Sequence, residues 1–296
     1  MKRVGQALGV QDQVVRGPAG RRLNVLELGD PNGSPVIFHH GTPGTRKAHN
    51  QQRSVLAGTR AIFYDRPGYG GSDAQPGRDV AACAADIAAI ADALGIDTFA
   101  VYGSSGGGPH AIACGAVLGE RVTRVAVVAG FAPADDPELD FLAGMSELNV
   151  AELRAALKGE AALTRELEGF VEAASGDPDA IIDDIVSELP EPDRRALARP
   201  DIRAVFRETI GESVGGGLRG WIDDDLAFAR PWGFDLGDVR QDALLLQGEH
   251  DLLVPRAHMR YLATKLPRAR LEIVAGGGHT LFDETRDVVR WLIAAA

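Results

Sequence analysis

The chain has only two cysteines among 296 residues, and aromatic side chains make up 6% of it. Cys83 and Cys114 both fall in alanine-rich stretches of helical pattern. That argues against a disulfide framework and a thiolate metal site, and leaves two small buried hydrophobes. No apolar run approaches the ~18 residues that span a bilayer. Met1 to Gly20 carries three basic residues but no apolar core of signal length. The expectation is a soluble, cytoplasmic protein with no membrane partner. Basic residues are outnumbered too, 31 against 42 acidic ones, for a net charge of -11. No strongly basic face is on offer, so a nucleic-acid partner is not expected.

What is present suits a folded enzyme-sized chain. With 45% hydrophobic and 25% charged residues, the length fits one large globular domain or one domain carrying an insertion. The 36 glycines cluster in short runs without a collagen-like period, which marks a few places of special backbone geometry. The acidity is uneven: residues 135–230 hold 23 Asp and Glu against 10 Lys and Arg, while the remainder is slightly basic. The plain reading is a solvated helical surface; as a lid it would disfavour polyanionic substrates.

Strand and helix patterns alternate through the first 130 residues. Residues 12–29 read as an antiparallel hairpin turning at Gly17-Pro18. Buried-type strands follow at Pro35–His39, Ala61–Tyr64, Thr98–Tyr102 and Val122–Ala129, with helices at Asp79–Leu94 and Pro109–Leu118. After Pro133 roughly ninety residues show helical periodicity alone, broken at Gly176-Asp-Pro178 and Pro190-Glu-Pro192. The alternation returns with a strand at Ala243–Gln247, a helix at Pro255–Leu266, a strand at Arg270–Val274 and a last helix at Leu281–Ile293. This is an α/β pattern, a mostly parallel sheet with helices on both faces and a helical insertion. Residues 1–134 and 231–296 form the sheet domain, and 135–230 the insertion.

Gly103-Ser104-Ser105-Gly106-Gly107 links a strand to a helix and matches G-x-S-x-G with Ser105 at its centre. A nucleophile on so sharp a turn needs strained backbone angles and no side chain two residues either side. A serine hydroxyl also needs a base and a group to orient that base. Of seven histidines, His279 follows the last strand and so emerges at the same sheet edge as Ser105. His258 lies within a helix, at a surface or packing position. His110 follows the serine turn, and His49 stands near the start of a predicted helix. The acid candidate is Asp251, in the loop after Ala243–Gln247, with Glu249 and Asp135 as its competitors. Serine, acid, histidine is the chain order of one known triad topology. His40-Gly41-Thr42-Pro43-Gly44 would bring the Thr42 amide beside that of Gly106 to form an oxyanion hole, with His40 structural.

These pieces, with Asp65-Arg-Pro-Gly-Tyr-Gly-Gly-Ser72, run in order from about residue 35 to the C-terminus, and together they resemble the α/β-hydrolase superfamily. The resemblance implies an eight-stranded sheet, with the helical insertion as a cap over the pocket. Asp65, Arg66 and Ser72 then shape a turn. The serine sets the chain apart from the aspartate-nucleophile dehalogenases and epoxide hydrolases. The elbow also lacks the aromatic residue that follows the nucleophile in proline iminopeptidases. The implied activity is cofactor-free and metal-free hydrolysis of a carboxylic ester, small or medium and neutral or apolar, through an acyl-enzyme. A C–C bond, lactone or amide hydrolase with the same triad is the alternative, as is a ligand-binding member without turnover. A monomer or homodimer acting on a small molecule is expected. Phe141, Leu142, Met145, Phe206, Trp221 and Phe228 are candidates for the pocket wall.

Overall fold

Apolar runs form the strands, and the loops at their ends hold the candidate site residues. The computed structural model describes residues 9–47, 56–173 and 177–294; His49 and Gly176 lie outside them. The first hairpin pairs β1 (Gly9–Arg16) with β2 (Arg22–Gly29) around a turn at Gly17-Pro18. Then come β3 (Ser34–His39), β4 (Thr59–Tyr64), α1 (Cys83–Ala93), β5 (Phe99–Ser104), α2 (Gly107–Leu118) and β6 (Val122–Val128). After the helical stretch the chain completes β7 (Asp242–Gly248), α9 (Arg256–Lys265), β8 (Ala269–Val274) and α10 (Thr285–Ile293). The eight strands lie in the order β1-β2-β4-β3-β5-β6-β7-β8; β2 runs antiparallel to both its neighbours, β1 and β4, and the other pairings are parallel.

Side chains alternate between the two sheet faces, as the pleat demands. Ile37, Val101, Val125 and Leu245 face one core, which α1, α2 and α9 cover with Ile87, Ile112 and Met259. Val36, Tyr102, Ala126 and Leu246 face the other, covered by Val288 and Leu292 of α10. Each large side chain so buried contributes roughly 1.5–3 kcal/mol. Cys83 and Cys114 are buried and free. Because β3 and β5 are neighbours, with His39 opposite Gly103, the loops that follow them adjoin at one edge. That is where ligands bind on an open parallel sheet.

Among the described residues, six α-helices stand between β6 and β7: α3 (Glu147–Lys158), α4 (Glu160–Ala173), α5 (Pro178–Glu188), α6 (Glu191–Leu197), α7 (Pro200–Gly215) and α8 (Arg219–Phe228). Ser146 caps the first and Asp177 the third, each side chain accepting from a free backbone N–H. Residues 135–146 form turns rather than helix: Pro137 and Gly144, the latter at φ +82, interrupt a helical run, and Asp136 accepts from the Tyr261 hydroxyl on α9. Among the described residues no helix is long and apolar enough to cross a membrane.

Candidate active site

The turn after β5 forces its serine into an uncommon conformation. Ser105 has φ +52, with its N–H bonded to the Val128 carbonyl at 2.8 Å and its own carbonyl receiving the Gly108 N–H at 2.8 Å. A side chain on Gly103 would run into the backbone of Gly107, and one on Gly107 into the carbonyls of His39 and His40. The glycines are thus demanded by close approach of backbone, and the strain at Ser105 is held by its neighbours.

His279 and Asp251 meet beyond the ends of β8 and β7. His279 Nδ1 donates to Asp251 Oδ2 at 2.8 Å. The other Asp251 contacts are the amides of Leu253 and Val254, both at 2.9 Å, and Gln247 Nε2 at 2.8 Å. Four donors fix this carboxylate, and it fixes the imidazole tautomer with the proton on Nδ1. Burial would lower the His279 pKa, but the Asp251 charge and hydrogen bond outweigh it and the net shift is upward. Glu249 is exposed and accepts the Gly276 N–H, and Asp135 is exposed as well. His279 and Ser105 line one cavity, and among the described residues no hydrogen bond joins them. Such contacts often tighten only around substrate.

Thr42 and Gly106 lie against each other: a Cβ built on Gly106 would sit 3.1 Å from the Thr42 N and collide with Thr42 Oγ1. Among the described residues neither amide donates to a protein acceptor, so both are free for an oxygen in the cavity. A buried network holds their loop. Asp224 of α8 receives Thr42 Oγ1 at 2.7 Å, Arg66 Nη2 at 2.6 Å, Arg78 Nη2 at 2.7 Å and the Tyr69 hydroxyl at 3.0 Å. Arg66 also donates to the carbonyls of His40 and Gly41. Burial would raise the Asp224 pKa, but Arg66 and Arg78 hold it well below the usual carboxylate range. His40 is neutral and structural here: its Nδ1 contacts the Gly41 carbonyl, its Nε2 accepts the Arg66 N–H, and burial lowers its pKa. His110 Nδ1 lies 2.8 Å from the Gly106 carbonyl, and His258 lies between the Ala132 amide and the Phe141 carbonyl. Burial lowers both histidines, His258 to about 4.

The cavity holds about 230 Å³ and reaches from the sheet edge into the helices. Phe206 and Trp221 line it, with Phe170, Leu167 and Ile210 beside them. Phe141, Leu142, Met145 and Phe228 do not. Phe141 stacks toward Phe131 and His258, and Phe228 toward Phe131 and His110, inside the sheet-side core that Leu142 and Met145 also join. Those four satisfy packing demands below the helices rather than facing open space.

Sequence reading treated the acidic helices as a solvated surface, and four carboxylates depart from that. Asp193, Asp223, Asp224 and Asp225 are all buried. Asp193 on α6 accepts the backbone N–H of His279 at 2.9 Å and of Thr280 at 2.6 Å, bracing the histidine loop. A signal existed for the triplet: three consecutive acids in a helix whose other residues, Arg219 apart, are Gly, Trp, Ile, Leu, Ala and Phe cannot all reach water.

A sequence profile of the alpha/beta hydrolase fold family matches residues 34–285. The chain is similar to a candidate carbamate hydrolase of Caulobacter sp. (strain K31), 26% identical over 93% of this chain and 90% of that one. It is also similar to a non-heme haloperoxidase of Rhodococcus erythropolis, 26% identical over 87% and 90% of the two chains. Among solved structures, an esterase of Thermogutta terrifontis superposes with a TM-score of 0.68 over 95% of both chains at 24% identity.

Proposed function

This chain belongs to the α/β-hydrolase fold family, and on that premise we propose that it is a cofactor-free serine hydrolase of carboxylic esters, small to medium in size and largely apolar. The observation that carries the reading is the His279–Asp251 hydrogen bond at 2.8 Å, on a histidine that lines the same cavity as Ser105. Ser105 Oγ attacks the ester carbonyl while His279 Nε2 takes its proton. Asp251 stabilises the imidazolium, and the Thr42 and Gly106 amides receive the oxyanion. The imidazolium then protonates the departing alcohol, leaving an acyl-enzyme. Water, deprotonated by His279, hydrolyses it by the same route and restores the serine.

Each oxyanion donor is worth about 3 kcal/mol, and the general base about 10²–10⁴-fold in rate. Residues 1–134 and 231–296 act as the hydrolase core and 135–230 as a cap whose helices wall the pocket. The carbamate hydrolase among the relatives carries a name that points to the same acyl carbon chemistry. Ser105→Ala tests the reading: hydrolysis of p-nitrophenyl butyrate should fall by at least about 10³-fold with the circular dichroism unchanged. Wild-type rates in that variant would overturn it.

A further inference from the structure

The cavity wall contributed by the helices carries an unbalanced charge. Glu152 of α3, Glu166 of α4 and Asp225 of α8 all line it, and among the described residues no lysine or arginine does. Asp225 is only 2% exposed, yet among the described residues no N–H or O–H donates to its side chain, and its Oδ2 has no partner. Its polar neighbour is another carboxyl, that of Glu152, which accepts the Trp221 indole N–H at 2.7 Å. Glu166 is exposed and lines the same cavity.

Two carboxyl groups in contact out of water cannot both stay ionised without a cation or a proton between them. Burial and the Glu152 charge accordingly push Asp225 well above the usual carboxylate range, and burial outweighs the hydrogen bonds to Asp225 and Trp221 and pushes Glu152 upward, so without a cation the pair holds a proton between them. Asp224, the next residue, shows how this chain treats a buried carboxylate that is structural: it supplies two guanidiniums and two hydroxyls. Asp225 is given none of these and faces a ligand-sized space. The three acids do not form a group that could hold a metal ion.

We infer that the Glu152–Asp225 pair is a recognition subsite for a protonated amine on the substrate, so that the preferred esters bear an ammonium group. The ammonium takes the place of the shared proton, which leaves to solvent; charge balances on the pair, and Trp221 and Phe170 line the same cavity with aromatic rings of the kind that favour a cation. The acidity of residues 135–230 draws such a substrate in. This inference rests on the hydrolase reading for the position of the scissile bond, but not for the binding itself.

Two paired ester comparisons test the preference. They are p-nitrophenyl 6-aminohexanoate against heptanoate, and the leucine p-nitrophenyl ester against 2,4-dimethylpentanoate; each pair exchanges ammonium for methyl. In at least one pair kcat/KM should favour the ammonium ester by about tenfold or more, and the ratio should collapse toward one in Glu152→Gln, Asp225→Asn and the double variant. A second arm needs no turnover: calorimetric titration of the Ser105→Ala protein with hexylamine and with 1-hexanol. Hexylamine should bind about tenfold tighter and release a proton, read as a dependence of the heat on buffer. Equal binding of amine and alcohol, or a preference that survives in Asp225→Asn, overturns the proposal. If no ester is cleaved but hexylamine binds with proton release, the hydrolase reading fails and the subsite stands.

Discussion

Asp224 and Asp225 are adjacent on α8, and the two sides of that helix treat them in opposite ways. Toward the sheet edge, Asp224 meets Arg66, Arg78, Thr42 and Tyr69, and stays ionised at full burial. Toward the cavity, Asp225 meets Glu152 and is driven to hold a proton. One side is saturated with donors and rigid; the other is left wanting a positive group. Burial by itself therefore says little about a carboxylate's role, and the inventory of its partners says a great deal.

The largest effect should come from breaking the saturated side. Asp224→Asn leaves two buried guanidiniums short of a counter-charge and should cost about 3–5 kcal/mol in denaturant unfolding. A loss below about 1 kcal/mol would show that Arg66 and Arg78 find other partners. Thr42→Val removes one donor but keeps the backbone amide. It should lower kcat about tenfold, roughly 1.4 kcal/mol, with KM little changed, because the oxyanion loop loses its tie to α8.

The cavity side should respond with the other sign. A carboxyl whose folded pKa is raised binds its proton more tightly than the unfolded chain does. Its contribution to stability is present below the ordinary aspartate value and is lost as pH rises through the raised one. Asp225→Asn should therefore match or exceed wild-type stability at pH 8 and flatten the decline of Tm with pH. An unchanged slope would place the proton elsewhere.

The smallest effect concerns the histidine loop. Its raised pKa puts the acid limb of kcat/KM above the ordinary imidazole value of 6.5, activity being lost as pH falls and the base is protonated. Asp193→Asn should move that midpoint down and cost a few-fold in rate, since Asp193 both braces the loop and adds negative charge beside His279.

The same contrast explains what could be read from the chain alone. At the sheet edge the constraints are local. A strand must end, a turn must be tight, and Gly103, Gly107 and the run before His279 announce this within a few residues. The placement of Ser105, His279 and Asp251 along one edge follows from topology, which alternating strands and helices disclose. In the helices the constraints are long-range. Asp193 carries the composition of a solvated face; the apolar setting of the α8 triplet hints at burial, but only the partners brought from positions 66, 78, 152 and 279 tell Asp193, Asp224 and Asp225 apart in role. Phe206 and Trp221 line the cavity while Phe141, Met145 and Phe228 pack the core, although all five look alike in sequence.

The most direct measurement of the central claim is mass spectrometry of the protein after reaction with a fluorophosphonate. The account predicts a single adduct on Ser105, formed at least about 10³-fold more slowly in His279→Ala. An unlabelled Ser105, or labelling at the wild-type rate without His279, would contradict it.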